Sequence, residues 1–304
     1  MTADELTTVD GRPALRMERR LAHPVEEVWR AVTEPERLSR WYPFAVVALD
    51  LRVGGAMRFD DGEGTVMDGT VVELDPPRRF AFSEHAPEEM HRESDDLVRI
   101  DLEPDGDGCL LVFTHVFDDR PGAGSYAVGW DLCLRMLGAV LDGEEPDWPT
   151  PPQGALEERI DALGLGAGRV EDGPDGPVLT VERQLSRPAE EVWAEVVGDA
   201  AGNAAGDGAG DGVPEGLLVP GVAASGRTEA KPPELFEYAW SADGADGTAA
   251  GRVRWELSAG TGHGARLVVT QTGRAADRDR LEAALPAWER RIREVGRRVS
   301  GLEG

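Results

Sequence analysis

The sequence predicts an α+β fold built twice, each half a curved antiparallel sheet wrapped around a long C-terminal helix. Three observations carry this. Residues 17–29, MERRLAHPVEEVW, return at 181–193 as VERQLSRPAEEVW. PPRRFAFS (76–83) and VRIDLEPDGDGCLLVFTH (98–115) then return in the same order as PPELFEYA (232–239) and VRWELSAGTGHGARLVVTQ (253–271). Finally, each half closes on an apolar stripe at helical spacing. It is Trp130, Leu134, Leu137 and Leu141 in the first half, and Leu281, Leu285, Trp288, Ile292, Val295 and Val299 in the second. Blocks that keep their order mark a duplication.

In the first half, residues 14–22 alternate apolar and polar and predict a strand. Pro24 suits a helix first turn, where its missing N–H costs nothing, and Glu26 and Glu27 complement that end. Val25, Val28, Trp29 and Val32 form its buried face. A short helix over 35–41 stops before Pro43. Strands follow at 46–52, 56–60, 65–74, 79–84, 97–103 and 109–117. Gly54-Gly55, Asp61-Gly62, Pro76-Pro77 and the DGDG run at 105–108 separate them with turn chemistry. A helix over 126–141 closes the unit. Strands followed by one long helix give an α+β order, and the sheet must curl to cover the helix stripe.

The second half departs from this plan at one place. Where the first carries EPERLSRWYPFAVVALDLRVGGAMRFDD (34–61), the second has GDAAGNAAGDGAGDGVPEG (198–216), a loop composition with no apolar period. Pro286 is expected to kink the last helix or mark its start. The expected domains are 12–145 and 177–301. The Pro/Gly-rich linker between them, 146–176, contains a short helix near Leu156–Leu163.

A length of 304 residues suits two such domains, and 40% apolar content with 8 Trp and 7 Phe supplies two cores. The formal charge is −26, from 58 acidic against 32 basic residues, which repels phosphate backbones and anionic headgroups. No nucleic acid is expected as a partner, and no apolar run reaches the ~18 residues of a membrane span. MTADELTTVD lacks an apolar signal-peptide core, and Cys109 and Cys133 make no disulfide framework. A cytoplasmic protein with buried, unreactive thiols is expected.

HPVEEVWRAVTEPERLSRWYP (23–43), GGAMRF (54–59), GTVVELDPPRRFAFSE (69–84) and GWDLCLRMLGAVLDGE (129–144) resemble bacterial START-like, helix-grip proteins of the SRPBCC superfamily. Within that superfamily these runs look like the activator of heat-shock-protein-90 ATPase homologue-like group. The resemblance covers nearly all of the first half and two-thirds of the second. It implies a hydrophobic-ligand cavity between sheet and helix. The superfamily puts carriers, cyclases, hydrolases and co-chaperone modules on one scaffold, so chemistry must be argued from residues.

Those residues offer little catalysis. No phosphate-binding fingerprint is present, and GLGAGR (164–169) follows no strand. His85 and His91, beside Glu84, Glu88 and Glu89, read as a solvated loop, so neither a metal nor a cofactor is expected. His115, beside Thr114 at a strand end, would serve acid–base work if it faced the cavity, although the second half has Gln271 there. Arg58, between Met57 and Phe59, would select an anionic or carbonyl-bearing ligand if it pointed inward. The expected ligand-binding set is Trp41, Phe44, Arg58, Phe59, Met67, Phe82, Phe113, His115, Tyr126, Trp130 and Leu134. Only one parity along each strand can face inward, so the set overreaches.

The function expected is non-catalytic binding of a small hydrophobic molecule, or a protein partner, in the first half, with the second half as scaffold. One alternative is a polyketide aromatase/cyclase-type enzyme using His115, Arg58 and Tyr126, since such enzymes also occur as two fused helix-grip domains. Another is a co-chaperone-like module acting through its surface. No polar constellation recurs in both halves, which favours binding over catalysis.

Overall fold

The computed structural model describes residues 4–62, 64–85, 94–197, 212–242, 248–262 and 264–302. It forms two compact units, Met1–Pro151 and Pro152–Gly304. In the first, the chain order is β1 (Glu5–Val9), β2 (Arg12–Leu21), α1 (Val25–Thr33), α2 (Pro35–Leu38), β3 (Ala45–Leu49), β4 (Ala56–Asp60) and β5 (Val66–Asp75). β6 (Arg79–His85), β7 (Asp96–Asp105), β8 (Gly108–Val116) and α3 (Ala123–Leu141) complete it. The strands make one antiparallel sheet in the order β1-β2-β8-β7-β6-β5-β4-β3.

The second unit contains α4 (Ala155–Ala162), β9 (Arg169–Gly173), β10 (Gly176–Gln184), α5 (Ala189–Val197) and β11 (Ala223–Lys231). β12 (Leu235–Ser241), β13 (Ala249–Ala259), β14 (Ala265–Thr272) and α6 (Arg278–Val299) follow. Its sheet runs β11-β12-β13-β14-β10-β9. Among the described residues this is the first sheet's order without counterparts of β3 and β4. Both units are α+β, with a large antiparallel sheet and a long C-terminal helix, as the repeat requires.

Period-2 patterning decides which side chains face inward. Along β7, Asp96, Val98, Ile100 and Leu102 are buried while the residues between them are half-buried. On α3, Trp130, Leu134, Leu137 and Leu141 are all buried, and on α6 Leu281, Trp288, Ile292 and Val295 are. The differences from expectation are local. Residues 5–9, ahead of residue 12, form β1 on the sheet edge, and the stretch 146–176 contains β9 besides the expected short helix α4. α2 ends at Leu38, which leaves Trp41 and Tyr42 on the segment leading to β3. α6 begins at Arg278 and passes through Pro286. Most of the 198–216 stretch lies outside the described residues. Among those described, no helix is long and apolar enough to cross a membrane.

Asp277 occupies the N-cap position of α6, with no side-chain bond to the helix backbone, and is 1% exposed. The Arg274 guanidinium bonds it at 2.8 and 3.3 Å and Arg280 at 3.0 Å, holding its carboxyl below its ordinary 3.8 against the opposing effect of burial. A lowered folded value means the stabilisation is full above 3.8 and is lost as pH falls through the lowered value. An Asp277→Asn chain is expected to lose about 1–2 kcal/mol at pH 7 and much less at pH 3. Urea unfolding at the two pH values, followed on the second unit, checks this. An equal loss at both would rule out a contribution from the Asp277 charge and its arginines.

Candidate functional site

The first sheet presents its inner face to α3, and three adjoining strands bring polar groups to one end of it. Phe80, Phe82 and Glu84 share a parity on β6, and Asp96 shares one with Val98 and Ile100 on β7. Phe113 and His115 do the same on β8. Glu84 pairs directly with Asp96, and His115 with Val98, one step along. Glu84, Asp96 and His115 are 7%, 2% and 1% exposed.

Around them lies an aromatic shell. Tyr42 stacks on Phe59 at 5.5 Å between centroids and meets Phe82 at 5.9 Å and Trp130 at 5.4 Å. Trp130 packs on Phe113 at 4.5 Å, and Tyr126 stands edge-on to His115 at 4.7 Å. Such pairs add to the burial of the rings themselves.

The hydrogen bonds fix the protons. Tyr42 donates its O–H to Glu84 Oε1 at 2.6 Å. Burial first, and the Glu84 charge second, push its phenol well above 10, so it stays a donor. Trp130 Nε1–H can only donate, and its acceptor is His115 Nδ1 at 3.1 Å. The imidazole proton therefore sits on Nε2, which lies 3.1 Å from Asp96 Oδ2 and donates to it. With one nitrogen carrying a proton and the other accepting the indole, His115 has no lone pair for a substrate. It is not poised as a general base.

Glu84, Asp96 and His115 each bring one ligand atom, all within 4.8 Å of one another, so a metal must be considered. For Nε2 to bind a cation, the ring proton would have to move to Nδ1, directly opposite the Trp130 N–H. The arrangement fits a hydrogen-bonded polar group rather than a metal centre.

The expected site residues are largely brought together. Phe59, Phe82, Phe113, His115, Trp130 and Leu134 are buried on this face, with Met67 opposite Phe59 across β4 and β5. Tyr126 and Phe44 are half-buried, the latter 6.4 Å from Tyr42. Trp41 is buried but turned away, its indole donating to Ala31 O at 2.9 Å in a core role. Arg58 is the correction. Met57 and Phe59 face inward, so Arg58 must face out, where its side chain is 56% exposed and pairs with Asp68 at 3.0 Å. Burial raises the Cys109 thiol to about 11 and Cys133 to about 12, so neither is a nucleophile near neutral pH. His85 bonds Ser83 at 3.0 Å, outside the buried group; Glu88, Glu89 and His91 lie outside the described residues. A depression of about 300 Å³ lies on the sheet's other face, but its Arg79 and Arg99 already pair with Asp101 at 2.6 and 2.9 Å.

Sequence reasoning missed Tyr42, Glu84 and Asp96. Extending the Phe80–Phe82 parity to Glu84, and the Ile100–Val98 parity back to Asp96, would have found two of them.

The second unit shows what the fold does without this group. Its equivalent register pairs are Trp240 with Gly251 and Val253 with Gln271. Glu84, Asp96 and His115 are thus replaced by Trp240, Gly251 and Gln271. The Trp240 indole fills the place, donating to Thr272 O at 2.7 Å, and a Cβ on Gly251 would lie 2.9 Å from its nitrogen. Trp288 repeats Trp130, donating to Gln271 Oε1 at 2.7 Å.

Residues 22–142 match the family model described as Activator of Hsp90 ATPase homolog 1-like protein. Among solved structures, CalU16 from Micromonospora echinospora is 27% identical over 53% of this chain and 94% of that one, with a TM-score of 0.42. CV1439 from Chromobacterium violaceum is 28% identical over 44% of this chain and 98% of that one, at 0.37. DynU16, a protein of the dynemicin biosynthetic locus, is 18% identical over 95% of this chain and 96% of that one, at 0.41. No curated protein matches the chain.

Proposed function

We propose, from the premise that residues 22–142 form a START-like domain of the Activator of Hsp90 ATPase homolog 1-like branch, that the first unit is a non-catalytic binding module. Its ligand is small and apolar, lies between the sheet and α3, and carries a hydroxyl or amine donor that Glu84 and Asp96 accept. The observation that carries this reading is the buried Glu84–Asp96 pair on an otherwise aromatic face. Enclosing two carboxylates side by side costs several kcal/mol each by order of magnitude, unless hydrogen bonds and a use offset it. The second unit builds the same sheet with Trp240 and Gly251 there, so the fold does not need the pair. Each carboxylate oxygen has two lone pairs, so one oxygen can accept from more than one donor. The rings of Tyr42, Phe59, Phe82 and Trp130 match the apolar body of such a ligand. Binding is favoured over catalysis because both His115 nitrogens are engaged.

The test compares 1-naphthol with naphthalene, titrated against the full chain by calorimetry. Naphthol is expected to bind about tenfold more tightly, and a Glu84→Gln, Asp96→Asn chain to lose that preference. Native mass spectrometry of the purified chain should show a comigrating small molecule that the double variant lacks. Equal affinity for the two probes, or a preference that survives in a folded double variant, would overturn the reading in favour of a partner on the surface.

A further inference from the structure

The large apolar side chains that the first unit leaves in solvent are gathered in one place. Val47, Leu51, Val53, Val66 and Val72 are between 38% and 60% exposed, and among the described residues Trp148 is the one other of this kind. All five lie on β3, on the connection from β3 to β4, and on β5.

Parity and two bulges put the strand valines on the outer face. Val46 pairs with Phe59 and both are buried. Val47 is the extra residue before Ala48 meets Arg58, so it turns outward with Arg58. Val72 is likewise the extra residue between the Val71–Phe82 and Glu73–Ala81 pairs, and Val66 pairs with Asp60. The β4–β5 ladder runs on past Ala56 and Thr70. Gly54 N donates to Val71 O at 2.8 Å and Val71 N to Gly55 O at 2.9 Å, which brings Val53 beside Val72.

The fold does not require this surface. Tyr238 repeats Phe82, and the bulge opposite it carries Thr228 where the first unit has Val72. The Thr228 hydroxyl donates to Glu237 at 2.7 Å. Among the described residues the second unit has no counterparts of β3 and β4 and no large apolar side chain exposed. A lone surface valine is ordinary, whereas five together mark a contact. The contact is with the face rather than the edge of β3, because the Val46 N–H already donates to Ser39 Oγ at 2.8 Å.

Charge selects the partner. The ion pairs within the patch balance, Asp50 with Arg52 at 2.8 Å and Arg58 with Asp68 at 3.0 Å, on a chain of formal charge −26. A basic partner would be drawn to the acidic remainder of the surface. A second copy meets the least repulsion here. Arg58 and Asp68 stand directly opposite each other on β4 and β5, so the patch is complementary to itself after a two-fold turn.

We propose that the outer face of β3–β5 is a self-association surface through which two copies of this chain form an isologous dimer. A two-fold axis lying in the interface, between β4 and β5, sets Arg58 of each copy against Asp68 of the other and Val53 against Val72. The inner face and its Glu84–Asp96 pair take no part, so the proposal stands independently of the reading of that site.

Sedimentation velocity of the full chain over a concentration series reads the monomer–dimer equilibrium. A dimer is expected, and it should strengthen as sodium chloride rises from about 0.1 to about 1 M, since the screening length of the net negative charge falls from about 10 to about 3 Å. Val53→Glu combined with Val72→Glu should weaken it by about tenfold or more, while circular dichroism shows the fold kept, because both side chains already face solvent. Arg58→Asp alone and Asp68→Arg alone should each weaken it. Mixed together, those two single variants should form a heterodimer, and the chain carrying both substitutions should recover the homodimer. A purely internal role for the ion pair would not produce that pairing. A chain that stays monomeric up to about 1 mM, a dimer that added salt dissociates, or one that the valine and charge variants leave intact would overturn the proposal.

Discussion

A Trp130→Ala chain is expected to lose about 4 kcal/mol from the first unit, the upper range for emptying a buried aromatic position. Trp130 is 6% exposed and is the one α3 ring that touches Phe113, Tyr42 and His115 together. Its removal opens a void at the centre of the aromatic shell and takes the donor from His115 Nδ1. Trp130→Phe separates these effects. It keeps most of the ring and removes the N–H, leaving a buried acceptor unpaired for about 1–3 kcal/mol. Urea unfolding of the full chain should show the first unit's transition moving while the second's stays, since the units have separate cores. A loss below about 2 kcal/mol for Trp130→Ala would mean that α3 does not seat its stripe on this sheet.

The repeat, the succession of strands along the chain and the closing helices were legible because each rests on a local rule. The period of 2 on β7 and β8, the turns at Gly54-Gly55 and Pro76-Pro77, and the 3.6-residue stripe on α3 are written in adjacent residues. β1 was not legible: ELTTV is a short edge strand with partly exposed side chains and no apolar alternation. α2 fell short at Leu38 because a single turn ending before Trp41 has no stop signal of its own.

The site was half legible, and the division is physical. Aromatic side chains announce burial by composition, so Phe59, Phe82, Phe113 and Trp130 were found. Glu84 and Asp96 sit in an acidic stretch that composition assigns to solvent, and Asp95 and Asp96 look alike until strand parity separates the exposed residue from the buried one. Arg58 was misplaced for the converse reason: a charged residue between two core residues was considered by type before parity. Tyr42 required tertiary structure, since nothing in its neighbours links it to a strand 42 residues away.

A buried ion pair in the second unit gives the other large expected effect. Arg183 of β10 meets Glu157 of α4, both side chains 3% exposed. In the first unit the corresponding Arg19 bonds Asp131 of α3 at 2.7 Å, so α4 supplies the carboxylate that the closing helix supplies there. Gly296 on α6 makes room, since a Cβ would lie 2.7 Å from Glu157 Oε1 and 2.9 Å from Arg183 Nε. The geometry leaves those same two atoms unpaired. Burial outweighs the pull of Arg183 and raises the Glu157 carboxyl above 4.5. A raised folded value means its contribution is full below 4.5 and is lost as pH rises through the raised value. Glu157→Ala is then expected to destabilise the second unit by about 3–5 kcal/mol, because Arg183 is left buried and alone. Glu157→Leu combined with Arg183→Met should fall within about 1 kcal/mol of the parent or exceed it, since neither charge remains to be desolvated. Urea midpoints of the second unit at pH 7 decide it. If the double variant were as unstable as the single one, the cost would lie in packing between α4 and β10, and charge burial would be the wrong account.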